Sequence, residues 1–294
     1  MTNDDRDPIV VSFGDACLRK EDLQTLEPNE WLNDGVIWTF AELLAARSSD
    51  SEASQSQSRS SDKAKQDAKD STPSLLWQPA VVELMCSVTA DLGAEEARNL
   101  LPPAGPLVVL PVSDRYSTEG LGIGSHWSCI LAVEQAFKGP GSGWFGFHLD
   151  SMRPCNDDAA KTVWSAFLHT RGIKSSSVKR SLFEVEEVSP QENAHDCGLY
   201  MLLLSDLIIS QHLDPVIFRP TSMAAALSNA GKTPPALSSL ASDLTPAKAA
   251  QLRIDLHDFF SSWAQRQQLG EVPLRMTSWK EVRENVGDYR SPQR

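Results

Sequence analysis

A strongly apolar segment runs from Leu199 to Ile209, directly after a polar octet, residues 191–198 with the sequence QENAHDCG. Its large apolar residues fall on every side of a helix, which predicts a helix buried in the core and not an amphipathic helix on the surface. The segment Leu213-Asp214-Pro215 ends the pattern, because proline lacks the N–H that a helix interior requires. Cys197 is therefore expected at the N-terminus of a buried helix.

Apolar residues at helical spacing predict further helices along the chain. The first begins at Asn33 or Asp34, either of which can cap it, and the last begins at Thr245-Pro246. Between them, the helical pattern covers residues 80–89, 93–100 and 159–170.

Five segments have the composition of strands: 8–12, 107–112, 125–133, 144–150 and 182–185. Residues 138–143 (KGPGSG) are rich in turn formers and predict an antiparallel hairpin between the third and fourth segments. Together with the helices, these segments predict an α+β fold in which a central mixed sheet packs on the buried helix.

Two segments are expected to be disordered insertions in a single domain that spans 1–294. Residues 48–74 consist almost entirely of Ser, Asp, Gln, Lys, Ala and Arg, and residues 219–244 are rich in Ala, Ser, Pro and Asn. Such segments bury too little apolar surface to offset the entropy lost on ordering.

Composition and cysteine usage indicate an intracellular protein. Of the 294 residues, 41% are hydrophobic, and no uninterrupted apolar run approaches the roughly 20 residues of a membrane span. The acidic N-terminus has no apolar segment behind it, so no secretory signal is predicted. The five scattered cysteines form no C-x-x-C pair, which favours a reducing compartment, cytoplasmic or nuclear.

The formal net charge is −12, which argues against nucleic acid or an anionic membrane as the main partner. It fits a protein partner with a basic segment, although acidity that only keeps the protein soluble is the plainer interpretation.

Three residues can assemble a cysteine nucleophile with its base. A helix N-terminus favours the thiolate of Cys197. His126 begins one predicted strand and Asp150 ends the next, so antiparallel pairing would place them side by side. Gln191, six positions before the cysteine, could donate its amide N–H to an oxyanion, together with the Cys197 backbone N–H.

Each assignment has a structural alternative. Cys197 could be an inert core thiol, His126 could be structural, and Asp150 could cap a turn. His148 is a second choice of base, while His195 lies too close to the cysteine on the same loop to face it. Three other cysteines are assigned to the core or to an exposed loop: Cys86 and Cys129 to the core, and Cys155 to the loop. The glycines at 120, 122 and 124 lack a lysine and precede a strand, so they predict a flexible loop and not a phosphate site.

The motifs together resemble the Ulp family of cysteine proteases, which process SUMO and related modifiers. They are His126-Trp127, the strand end 147–151, the octet Q-x-N-x-x-D-C-G at 191–198, and Trp31-Leu32-Asn33-Asp34. Within the family the chain is most similar to the deneddylase branch, which acts on the Nedd-type modifier (Rub), because the catalytic module begins almost at residue 1.

The resemblance implies a papain-like peptidase of Ulp type that needs no metal or cofactor. It implies Cys197 as nucleophile, His126 as base, Asp150 as orienting carboxylate and Gln191 as oxyanion donor. Trp31 and Trp127 would cover a narrow channel for the modifier's Gly-Gly end, and Asp34 would contact its basic tail. We expect a monomer that acts on the modifier and its conjugates.

Three alternatives remain open at this point. The first is a SUMO protease on the same scaffold, and the second is an acyltransferase that uses acetyl-CoA. The third is an inactive module that only binds a modifier. The two tryptophans favour the peptidase over the acyltransferase, and the intact triad argues against an inactive module.

Overall fold

The computed structural model describes residues 7–57, 75–117, 124–136, 142–173, 181–210 and 235–289. The strands are β1 (Ile9–Phe13), β2 (Ala16–Arg19), β3 (Leu107–Ser113), β4 (Trp127–Ala136), β5 (Ser142–Leu149) and β6 (Leu182–Glu184). The helices are α1 (Lys20–Gln24), α2 (Asp34–Gln57), α3 (Pro79–Val88), α4 (Ala94–Asn99), α5 (Asp157–Thr170), α6 (Cys197–Ser210), α7 (Pro235–Ser242), α8 (Pro246–Gln268) and α9 (Trp279–Asn285).

The main sheet has the strand order β3-β4-β5-β6. β3, β4 and β5 are antiparallel neighbours, and β6 runs parallel to β5, so the predicted mixed sheet is confirmed. β4 and β5 pair up to Ala136 and Ser142, as the predicted hairpin requires, although most of its turn lies outside the described residues. β1 and the unpredicted β2 form a separate antiparallel pair.

Both faces of the main sheet are buried. Alternate residues of β4 point to opposite sides: Cys129 and Leu131 pack toward α6, while Ile130 and Ala132 pack toward α3 and α5. A strand that is covered on both faces has a sequence of consecutive apolar residues, as β3 does.

Helix α6 is surrounded by the rest of the domain, as its pattern predicts. The leucines on all of its sides are completely buried: Leu199, Leu202, Leu203, Leu204 and Leu207. It packs against β4, α2 and α8. Since burial of one leucine contributes roughly 1.5–3 kcal/mol, this helix has a well-determined position from which to present its first residue.

Helix α8 begins where the sequence predicts. The Thr245 side chain accepts a hydrogen bond from the Lys248 backbone N–H, and Pro246 occupies the first turn. In its apolar stripe, Leu252, Leu256, Phe260 and Trp263 are completely buried, and Phe259 is half-buried.

The prediction of disorder is wrong for residues 48–57, which continue helix α2 to Gln57. Once a helix has nucleated, residues such as Ala, Glu, Gln and Ser extend it at little cost. Arg47, in the turn of α2 before this segment, ties the helix to α6 through its Nη1, which lies 3.0 Å from Oδ1 of the buried Asp206. Residues 58–74 lie outside the described residues.

The prediction is also wrong for residues 235–244. Helix α7 forms there and buries Leu237, Leu240, Ala241 and Leu244. These four apolar residues recur at helical spacing, a signal that the Ala, Ser and Pro content of the whole segment obscured. Residues 219–234 lie outside the described residues.

Helix α9 was not predicted. Among the described residues, none of the helices has the length and apolar character needed to cross a bilayer.

Two apolar residues of α8, one buried and one exposed, test how much this helix contributes to the core. Leu256 is completely buried and Ile254 is 54% exposed. We expect Leu256→Ala to lower the free energy of unfolding by about 2–5 kcal/mol, because it leaves a cavity. Ile254→Ala, the matched control, should stay within about 0.5 kcal/mol of the unsubstituted protein. Chemical denaturation measures both, and equal losses would contradict the packing of α8.

Candidate active site

The ends of two antiparallel strands bring His126 and Asp150 together. His126 immediately precedes β4 and Asp150 immediately follows β5, whose register pairs Cys129 with Leu149. The Nε2 atom of His126 lies 2.6 Å from Oδ1 of Asp150. Both residues are buried, with 5% and 2% exposure, so their hydrogen bond is shielded from water.

The Asp150 carboxylate accepts two further hydrogen bonds from the backbone. The N–H of Met152 donates to Oδ1 at 2.8 Å, and the N–H of Asn156 donates to Oδ2 at 3.3 Å. Burial acts to raise the pKa of Asp150, but the hydrogen bond and charge of His126 and the Met152 N–H outweigh it, so the pKa is lowered. The carboxylate is thus held ionised and fixed in direction.

Asn156 is a residue of the site that the sequence did not indicate. Its buried Nδ2 donates to the carbonyl oxygens of Val112 and His126 and to the hydroxyl of Ser128. These contacts join the ends of β3 and β4 to the segment that carries Asp150. Because Asn156 directly precedes α5, its sequence position signals only a helix cap.

Cys197 is the first residue of α6 and is 2% exposed. Its thiol lies close enough to the His126 side chain to raise the pKa of that imidazole. Burial acts to lower the pKa of His126, but the hydrogen bonds to Asp150 and Cys197 outweigh it and raise the pKa to about 9. His126 therefore holds a proton at neutral pH, beside the thiol that it could activate for nucleophilic attack.

The octet forms a turn that delivers the chain into α6. Oδ1 of Asn193 accepts hydrogen bonds from the N–H groups of His195 and Asp196. The Asp196 carbonyl then accepts from the N–H groups of Leu199 and Tyr200, which begins the helix. The first N–H groups of a helix lack intrahelical partners, so those of the α6 N-terminus can act as oxyanion donors.

Gln191 lies on the approach to this turn, and its side-chain amide is held by the loop. Its Oε1 accepts from the Ser151 hydroxyl at 2.7 Å, and its Nε2 donates to the carbonyl of Asn193. One of its two amide hydrogens is thus engaged. Donation to an oxyanion would use the other hydrogen, and this role stays a prediction.

The Trp31–Asp34 loop lies against the N-terminus of α6. The Trp127 indole N–H donates to the Leu32 carbonyl at 3.0 Å. Leu32 also packs so closely on Gly198 that an added Cβ would lie 3.0 Å from the Leu32 Cβ. Trp127 is buried, whereas Trp31 is 47% exposed. The two predicted channel residues therefore differ: Trp127 supports the loop and Trp31 projects from it.

Asp34 is paired within the protein. The Arg115 Nη2 lies 2.7 Å from its Oδ2, and the guanidinium carbon is 5.5 Å from the ring centroid of Trp127. The Asp34 side chain remains 44% exposed. A contact with a basic tail, as predicted, would thus share this carboxylate with Arg115.

The alternative bases are not placed to serve Cys197. His148 is completely buried, with Nε2 at 2.9 Å from the Ser128 hydroxyl and Nδ1 at 3.0 Å from Glu184. His195 Nε2 lies 3.9 Å from Oδ1 of Asp196.

A metal ligand set is another possible use of His148. In the described part of the chain, His148, Asp157 and Glu184 are grouped closely enough to hold a metal, with ligand atoms within 4.8 Å of one another. Nδ1 of His148 is already bonded to Glu184, and the two carboxylates are partly exposed.

Of the remaining predicted cysteines, Cys129 lies in the core and Cys155 is exposed, as the sequence indicates, whereas Cys86 is only half-buried. Cys129 is buried, and burial together with the Asp150 charge raises its pKa. Burial also raises the pKa of Cys86 to about 12, whereas Cys155 is exposed. Among the described residues, no histidine is hydrogen-bonded to Cys86 or Cys129, whereas Cys197 lies beside His126.

Comparison with known proteins identifies relatives of this chain. No family model matches it. It is 31% identical to sentrin-specific protease 8 of Homo sapiens over 203 residues, which cover 67% of this chain and 79% of that protein. It is 26% identical to NEDD8-specific protease 1 of Arabidopsis thaliana over 212 residues, covering 71% and 78% of the two chains.

A solved structure has the same fold. The crystal structure described as "the de-sumoylating protease" superposes with a TM-score of 0.53 and covers 88% of this chain and 92% of its own. At 14% identity, this likeness concerns the fold alone. It confirms the predicted α+β, Ulp-type architecture.

Asp150→Asn tests the cause of the high pKa of His126. We expect the His126 imidazole to titrate near pH 9 in the unsubstituted protein and at lower pH in Asp150→Asn, where burial is less opposed. Because the folded state holds this proton above its ordinary pKa of 6.5, the resulting stabilisation is complete below pH 6.5 and is lost as the pH rises through about 9.

NMR titration of the histidine Cε1–H signals measures the pKa of His126, and denaturation across this pH range measures the free energy of unfolding. Asp258→Asn, at an exposed carboxylate beside His257, is the control and should leave the His126 titration unchanged. An unaltered titration in Asp150→Asn would refute the assignment.

Proposed function

This chain belongs to the Ulp family of cysteine proteases, which act on ubiquitin-like modifiers, and from this premise we propose that it cleaves after the C-terminal glycine of a Nedd-type modifier. The family membership rests on the relatives of 30–31% identity, of which the chain covers more than three quarters. The observation that carries the proposed chemistry is the meeting of His126, Asp150 and Cys197 at the N-terminus of α6.

In the proposed reaction, the Cys197 thiolate attacks the carbonyl carbon of the terminal glycine. The imidazolium of His126 gives its proton to the departing amine, and a thioester to Cys197 remains. His126, now neutral, takes a proton from water, and the resulting hydroxide attacks the thioester. The modifier leaves with a free carboxylate, and the thiolate–imidazolium pair is restored.

Asp150 and Gln191 are assigned supporting roles. The ionised carboxylate of Asp150 keeps the His126 ring in one orientation and stabilises its imidazolium. The free amide hydrogen of Gln191 and the Cys197 backbone N–H are proposed to donate to the oxyanion that forms on the glycine carbonyl.

The loop beside α6 is proposed to receive the modifier's tail. Trp31 is half-exposed on this loop, and the buried Trp127 holds the loop through its hydrogen bond to the Leu32 carbonyl. A slot between aromatic groups and a packed loop admits glycine, whereas a larger side chain in its place would clash. The ion pair of Asp34 and Arg115 borders the same loop and offers both charges to polar groups of the tail.

The Nedd-type assignment draws on the relatives. Two that match over about two thirds of this chain or more are named NEDD8-specific proteases, from Arabidopsis thaliana and Schizosaccharomyces pombe. The competing assignment is SUMO, since the solved structure with the same fold is named a de-sumoylating protease. We further propose that the protein acts in the cytoplasm or nucleus, because all five of its cysteines are free, as is usual in a reducing compartment.

Modifiers that carry a thiol-reactive electrophile at their C-terminus separate these assignments. We expect the NEDD8 probe to label Cys197 at least about 10-fold faster than the SUMO and ubiquitin probes, as for a pocket that favours one ligand. Mass spectrometry of the labelled peptide identifies the residue. Faster labelling by SUMO would overturn the modifier assignment, and labelling by none of the probes would overturn the function.

Cys197→Ala is the matched control for this experiment. The substitution should abolish both labelling and cleavage of a fluorogenic modifier substrate, because it removes the nucleophile. Binding of the intact modifier, measured by calorimetry, should persist. Retained cleavage would exclude Cys197 as the nucleophile.

Gln191→Ala tests the oxyanion donor. We expect kcat to fall by about 10²-fold with little change in KM, because the donor acts mainly on the developing charge. Ser151→Ala is the control: it removes the hydrogen bond to the Gln191 carbonyl oxygen but keeps both amide hydrogens, so the loss should be smaller. Equal losses in the two variants would assign Gln191 only to the structure of the loop.

A further inference from the structure

Arg253 is a buried arginine in the middle of α8, a helix whose sequence shows only a packing stripe. The residue is 6% exposed. A buried guanidinium is costly unless all of its N–H groups find acceptors, so its partners indicate why it is there.

One group of partners lies immediately before the proposed nucleophile. Nε and Nη2 of Arg253 donate to Oδ1 of Asp196 at 3.2 and 2.9 Å. Nη2 also donates to the carbonyl of His195 at 3.2 Å. Asp196 directly precedes Cys197, and its other carboxylate oxygen accepts from Nδ2 of Asn193. Arg253 therefore fixes the turn that orients Cys197.

The other group of partners lies on the segment that leads to Trp31. Nη1 of Arg253 donates to the carbonyls of Thr25 and Glu27 at 3.0 and 2.9 Å, and Nη2 donates to that of Glu30 at 2.9 Å. These carbonyls belong to a segment between helices α1 and α2, where a regular ladder is lacking and buried backbone oxygens need other donors.

The guanidinium thus spans two segments that are more than 150 residues apart in the chain. Its Nε and both Nη atoms donate hydrogen bonds, and the planar guanidinium reaches acceptors on both segments at once. Lysine keeps the charge but offers three donors from a single nitrogen, so it cannot reach both sets of acceptors in the same geometry.

We propose that Arg253 is a positioning residue that holds the Trp31 segment and the Cys197 turn in one register, so that a tail bound beside Trp31 is presented to a correctly oriented nucleophile. The inference deepens the proposed function and rests on it for the identity of the tail. The orientation of Cys197 toward His126 is a separate consequence, and it can be measured without any modifier.

The experiment compares Arg253→Lys with Arg266→Lys, a control on the same helix whose arginine is partly exposed and faces Glu271. The first readout is the pH dependence of Cys197 alkylation by iodoacetamide, quantified by peptide mass spectrometry. The exposed Cys155 serves as an internal reference for reagent and pH. The second readout is kcat and KM for a NEDD8 fluorogenic substrate, and circular dichroism establishes that each variant is folded.

If Arg253 positions the turn, the alkylation profile of Cys197 in folded Arg253→Lys should move to higher pH, because the thiol is no longer held beside His126. At the same time kcat should fall about 10-fold or more, as expected for a misplaced nucleophile. Arg266→Lys should match the unsubstituted protein in both readouts. A merely structural role would lower the melting temperature and leave the alkylation profile of the folded protein unmoved.

An unchanged alkylation profile and kcat in folded Arg253→Lys would overturn the proposal. Should Arg253→Lys fail to fold, Asp196→Asn replaces it, because it weakens the charged contact but keeps an acceptor and the carbonyl contacts. A smaller shift of the Cys197 alkylation profile in the same direction is then expected, and its absence would overturn the proposal. A shifted alkylation profile in a protein that cleaves no modifier would support the role of Arg253 while refuting the proposed function.

Discussion

The hydrogen bond between His126 and Asp150 is the interaction on which the site depends, and it exists because β4 and β5 are antiparallel neighbours in a fixed register. A slip of one residue in one of these strands would turn the side chains of that strand to the opposite face of the sheet, so the two residues would no longer meet. The apolar residues of β4 that pack on both faces prevent such a slip. The hydrophobic pattern of two strands thus sets the distance between the proposed base and its proposed orienting carboxylate.

The chemistry of the site requires charged groups in a place that excludes water, and each of them has a specific partner. Asp150 is stabilised by His126 and two backbone N–H groups, and Asp196 by Arg253 and Asn193. Since an unpaired buried charge is strongly destabilising, these partners are a condition for folding as well as for reactivity. The residues proposed to organise the nucleophile therefore lie on helix α8 and before α5, outside the motifs that indicate the family.

Local patterns predicted most of the regular elements, since amphipathic or continuous apolar spacing reflects which faces are buried. The failures have a common cause. The prediction of disorder for residues 48–57 and 235–244 follows from the average composition of longer segments. A helix needs only favourable neighbours and a few apolar residues at the correct spacing. Elements β2 and α9 are short, and they gain their stability from tertiary contacts that a local pattern does not contain.

By itself, the sequence determined the buried helix with a cysteine at its N-terminus, the histidine and aspartate at two strand ends, and the motifs of the family. Each of these signals is encoded by neighbouring residues, so it can be read along the chain. The tertiary structure alone decided the roles of Asn156 and Arg253, and the pairing of Asp34 with Arg115. Their partners are distant in the chain and include backbone carbonyl oxygens, which every residue possesses and which therefore leave no mark in the sequence.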